Sequence, residues 1–204
     1  MSKELESDVK KLCEEFFNEI DMPTFEDEDS IWTKKVFEAF CKIGKRRRFN
    51  VWYKRSWNRS KNRRNIESPT GEYLVDLIWS TWEEEFYWDS EPKECYWNEL
   101  VLECEWGDGH DEKENYRKIM YDFAKVIDVK GRFKVMVFGY HNKKDKEKIL
   151  TDFVDTLERY KWVPPEEEYL FIAFPWKESN PKVEGYFWDR ERKKPIMIKS
   201  GEIR

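Results

Sequence analysis

The chain has 204 residues, of which 40% are charged and 17% aromatic, and its formal net charge is −5. That length suits one domain, and 11 Trp argue against a disordered chain, because such chains lack large apolar rings. Four cysteines (Cys13, Cys41, Cys95, Cys104) without a C-x-x-C pair, and two histidines (His110, His141), argue against a structural zinc site and read as free thiols of a reducing compartment.

Apolar residues at Leu5, Val9, Leu12, Phe16 and Ile20 predict an amphipathic helix. After Pro23 and an acidic turn, Ser30 is placed to cap a second helix bearing Ile31, Val36, Phe37, Phe40 and Ile43, and Gly44 to end it. Strands are predicted at Arg48 to Lys54, Glu72 to Trp82 and Trp97 to Trp106. A helix follows over Glu112 to Asp128, with Tyr116, Met120, Phe123 and Ile127 as its stripe and Gly131 beyond it. Then come a strand from Arg132 to Tyr140 and a helix from Lys143 to Tyr160, with Ile149, Phe153, Leu157 and Tyr160 inward. A strand from Tyr169 to Phe174 and a hairpin from Val183 to Ile198 close the chain. The order predicts an α/β fold, a central mixed sheet flanked by helices. It divides into an N-terminal helical extension (1–29), a core (30–140) and a C-terminal αβ and hairpin extension (141–204). No apolar run has the length of a membrane span and no signal core opens the chain, so the expectation is a cytoplasmic protein without a membrane partner.

Two strands carry acids where apolar residues are expected. Asp76 lies among Leu74, Val75, Leu77 and Ile78, and Glu103 and Glu105 lie in E-L-V-L-E-C-E-W. Strand side chains alternate faces, so Glu99, Val101, Glu103 and Glu105 share one and Leu100, Leu102, Cys104 and Trp106 the other. A strand carboxylate is ordinarily solvated or half of an ion pair. Neighbouring strands that bring Asp76 and Glu103 together would instead suit a hard divalent cation such as Mg²⁺ or Mn²⁺, which compensates their lost hydration and activates water.

With these residues in that order, the chain resembles the PD-(D/E)XK nuclease superfamily, with its restriction-endonuclease-like αβββαβ core, over a little over half its length (Ile31 to Tyr140). The resemblance implies that Asp76 and Glu103 are the metal-binding acids. It departs at Glu105, which stands where the family has a Lys that activates the attacking water. Members of the family relocate such residues to the next helix, where Lys118, Asp122 and Lys125 share a flank. Lys125 is the first candidate for the missing charge and Lys118 the second, with Glu105 a third metal ligand or the lysine's partner. Glu38, on the preceding helix, reads as a solvated position.

From Lys45 to Arg64 there are ten basic residues and no acid. Arg46, Arg47, Arg48, Lys54, Arg55, Arg59, Lys61, Arg63 and Arg64, interleaved with Trp52, Tyr53 and Trp57, suit phosphates and unpaired bases. The expectation is a metal-dependent nuclease acting on DNA rather than RNA. The alternative is an inactive nuclease-fold protein that binds nucleic acid or a protein partner, a homodimer included. No G-x-S-x-G and no phosphate-cradling glycine loop points elsewhere.

Overall fold

The computed structural model describes residues 8–24, 26–53, 75–80, 98–107, 111–176 and 181–203. Its elements are α1 (Asp8–Glu19), α2 (Asp29–Arg46), β1 (Asn50–Tyr53), β2 (Leu77–Ser80), β3 (Asn98–Glu105), α3 (Glu112–Asp128), β4 (Phe133–Tyr140), α4 (Lys143–Arg159), β5 (Glu168–Pro175), β6 (Lys182–Asp189) and β7 (Lys194–Glu202). The expected α/β class and element order are observed. The strands form one seven-stranded mixed sheet in chain order, β1-β2-β3-β4-β5-β6-β7. β3, β4 and β5 are parallel, and every other neighbouring pair is antiparallel. Among the described residues, no helix is long and apolar enough to cross a membrane.

Two layers cover the sheet. On one face Leu100, Leu102, Phe133, Val135, Val137, Leu170, Ile172 and Phe174 meet Leu12 and Phe16 of α1 and Trp32, Val36 and Phe40 of α2. On the other, Met136, Phe138, Tyr140, Tyr169, Phe171 and Ala173 meet Ile119, Phe123 and Val126 of α3 and Ile149, Phe153 and Leu157 of α4. β4 is buried along its whole length, as a central parallel strand covered on both faces must be.

Several local expectations are corrected. Helix α2 starts at Asp29, one residue before Ser30, and Glu28 stands at its N-cap without a side-chain hydrogen bond. Trp32 takes the core position, and Ile31 is left exposed. Gly44 does not end the helix. It lies inside α2, where a Cβ would come 2.6 Å from the Trp79 indole nitrogen. The end is instead a Schellman turn on Arg48 (φ 66°): Phe49 N–H donates to Gly44 O (2.9 Å) and Arg48 N–H to Lys45 O (3.0 Å). Arg48 is therefore a helix-terminating residue rather than the start of β1. Tyr160 follows α4 as its C-cap and is exposed, its hydroxyl donating to Asp128 (2.7 Å).

Candidate active site

β3 alternates as its sequence requires. Leu100, Leu102 and Trp106 enter the core beneath α1 and α2, with Cys104 packed against it. Glu103 and Glu105 therefore face the α3 side. Asp76 is not in the middle of a strand but in the bend just before β2. Its backbone still extends the pairing, since Asp76 N–H donates to Leu102 O (3.1 Å). Leu77 pairs with Leu102, so Asp76 comes opposite Glu103, and directly opposed residues of an antiparallel pair present their side chains on one face. Asp76 Oδ2 accepts the Cys104 N–H (3.0 Å), which fixes the carboxylate at the strand junction.

Glu103 is 2% exposed. Burial, then the hydrogen bond and negative charge of Asp76, push its carboxyl up to about 9, against the opposing pull of Lys125. Glu105 is pushed up to about 7 by burial. The Gly107 N–H (2.8 Å from Oε1) opposes that rise, and Asp122 adds to it.

Helix α3 brings the countercharge. Asp111 caps its N-terminus, accepting from Lys113 N–H (2.8 Å). At its C-terminus the buried Lys134 of β4 donates to the carbonyls of Val126 (2.8 Å), Ile127 (3.3 Å) and Val129, and pairs with Glu167 (3.2 Å). Ile119, Phe123 and Val126 seat the helix on the sheet, which aims the adjoining flank at β3. From that flank Lys125 Nζ reaches Glu103 Oε1 (2.7 Å) and Asp122 Oδ1 (2.6 Å). Its contact with Glu103 is short but is not an aligned hydrogen bond. Burial works against the Lys125 charge, yet the contacts with Asp122 and Glu103 hold the ammonium above the usual lysine range. Lys118 sits two turns earlier, pairs with Glu114 (3.8 Å), and its charge is felt at Glu105.

The structure thus places Asp76, Glu103, Glu105 and Lys125, the four residues expected to be catalytic, around one cluster with Asp122. Asp122 is the member that sequence reasoning noticed on the helix flank but left out of the site. Lys134 was missed, and a lysine inside the apolar run F-K-V-M-V-F was its signal. Glu38 lies on the surface, 3.8 Å from Lys34. Of the basic segment, Arg46 and Arg47 are engaged by α1: Arg46 pairs with Glu19 and with Glu15 (3.2 Å), and Arg47 with Glu15 (2.9 Å). Arg48 is exposed. Lys54, Arg55, Arg59, Lys61, Arg63 and Arg64 lie outside the described residues.

Comparisons with protein-family models, with curated proteins and with solved structures found no match.

Among the described residues, no group of three or more His, Cys, Asp or Glu is arranged to hold a metal ion. Two carboxylates with substrate phosphates are nonetheless a normal complement for Mg²⁺, which keeps most of its waters. The hard oxygens of Asp76 and Glu103 fit such an ion. Burial first and Asp76 second raise the Glu103 carboxyl, and a bound divalent cation would lower it again. Glu105 is turned toward Gly107 and Asp122, which favours its role beside the lysine over that of a third ligand.

Proposed function

We propose that the protein is a divalent-metal-dependent nuclease that hydrolyses phosphodiester bonds of DNA, a divergent member of the PD-(D/E)XK superfamily. The observation that carries this reading is the Lys125 ammonium from α3, 2.7 Å from Glu103 and so beside the Asp76–Glu103 pair. It supplies the positive charge that Glu105 cannot, from a different element. The observed run α2-β1-β2-β3-α3-β4 supports it, being the αβββαβ order of that family.

Asp76 and Glu103 would hold Mg²⁺ or Mn²⁺, which when bound lowers the pKa of water and neutralises phosphate charge. Lys125 stays charged at neutral pH, so it acts as a fixed electrostatic clamp on the phosphate rather than as a proton carrier. Glu105, at about 7, takes the proton of the attacking water. Asp122 holds the lysine between itself and Glu103.

One observation favours a second reading, an inactive nuclease-fold protein that binds nucleic acid or a protein partner. The Lys125 ammonium already neutralises part of the acidic cluster. Thermal unfolding of wild type and Asp76→Ala in EDTA, Mg²⁺ and Mn²⁺ separates the two. A cation that binds only the folded state raises the melting temperature. The nuclease reading expects Mn²⁺ to stabilise wild type and not Asp76→Ala. Indifference of both proteins to Mn²⁺ favours the second reading.

A further inference from the structure

Among the described residues most aromatic rings are buried or half-buried. The outer face of α3 departs from this beside the acidic cluster. Tyr121 is 71% exposed. Its ring centre lies 5.8 Å from Lys125 Nζ, the atom that bridges Glu103 and Asp122. Four residues earlier on the same face Arg117 is exposed, and four earlier again so is Lys113. Residues four apart on a helix are neighbours, so Lys113, Arg117, Tyr121 and Lys125 form one stripe that ends at the proposed site. Arg46 and Arg47, by contrast, are occupied by Glu15 and Glu19.

A ring so placed would lie beside the base of a nucleotide whose phosphate contacts Lys125. Within a duplex that base is already stacked and paired, so its faces are closed. An unpaired base offers an open face, and stacking on aromatic side chains is how proteins grip single strands without reading their sequence. Resting on the nuclease reading above, we propose that the substrate is a single-stranded segment of nucleic acid. The base next to the scissile phosphate stacks on Tyr121, and Arg117 and Lys113 follow the backbone.

The test is fluorescence anisotropy of a labelled oligothymidylate and of a duplex of equal length. Both are titrated in EDTA at low salt, so that binding is read without cleavage. The proteins are wild type, Tyr121→Ala, Tyr121→Phe and Arg117→Ala. The exposure of Tyr121 makes its variants safe for folding. The expected result is tighter binding of the single strand by wild type, a loss of about tenfold in Tyr121→Ala confined to the single strand, and retention in Tyr121→Phe. Arg117→Ala should weaken both ligands and lower the salt dependence. Single-strand binding unchanged in Tyr121→Ala, or lost equally from the duplex, would overturn the inference. Binding of neither ligand by wild type overturns it together with the nuclease reading. Tyr121-dependent binding in a protein that Mn²⁺ does not activate would keep the single-strand-binding face of α3 while the nuclease reading, and with it the substrate role, fails.

Discussion

A carboxyl that is almost wholly buried and faces a second carboxylate holds its proton more tightly folded than unfolded. For Glu103 the ordinary value is 4.5 and the folded value about 9. Between those two pH values the unfolded chain has released a proton that the native protein keeps. Stability therefore falls as pH rises through that window. Glu103→Gln removes the penalty and keeps the shape of the side chain. Urea unfolding should show it close to wild type near pH 4.5 and more stable than wild type near pH 9. A variant less stable at the upper end would mean that Glu103 is ionised there and held by Lys125. The acids themselves were legible in the sequence, because a carboxylate in an apolar strand stands out. Their partner was legible only through a family resemblance. Helical spacing put Lys118 and Lys125 on the same flank, and it is the packing of α3 that gives the Glu103 contact to Lys125.

The seating of α3 is a property of elements. Its C-terminal carbonyls have no donors of their own, and the buried Lys134 supplies them from β4 while Glu167 balances its charge. Burial lowers the pKa of Lys134, which Glu167 counteracts. Lys134→Met matches the length of the chain but leaves those carbonyls without their donor and Glu167 without its countercharge, although the Tyr169 hydroxyl (2.9 Å) still donates to it. The expected loss is about 3 kcal/mol of stability, read by urea denaturation. A neutral result would show that water substitutes freely at the helix end. Element types and order followed from periodicity, and the errors fell at the ends. Ser30 looked like a cap, but α2 begins at Asp29 and turns Trp32 rather than Ile31 into the core. Gly44 looked like a stop, but it serves the Trp79 indole, and the stop is Arg48 in a left-handed conformation. Tyr160 extended the stripe of α4 on paper, whereas the helix ends at Arg159 and the ring bonds Asp128 at the surface. Packing partners decide such positions, and they lie far away in sequence.

At the scale of the molecule, the Trp residues that argue for a folded chain are mostly inside among the described residues: Trp32, Trp79, Trp106 and Trp188 are buried, Trp52 is half-buried, Trp176 is half-buried on Trp32, and Trp162 is exposed. The helix read as an N-terminal extension is part of that same core: Leu12 and Phe16 of α1 are fully buried against α2 and the sheet. Its integration could not be read from spacing, because an amphipathic stripe says that a face is covered and not by what. The fold then does one thing that no single element does. It brings the bend before β2, the middle of β3 and the flank of α3 to one place, where two carboxylates and a lysine converge. The measurement that tests this account most directly is cleavage of labelled DNA, single-stranded and duplex, in Mn²⁺ and in EDTA. The proteins are wild type, Asp76→Ala and Lys125→Ala. The account predicts Mn²⁺-dependent cleavage by wild type, none by Asp76→Ala, and a rate roughly 100-fold lower in Lys125→Ala. Cleavage that survives Asp76→Ala undiminished, or a pure wild-type protein that cuts neither substrate, would contradict it.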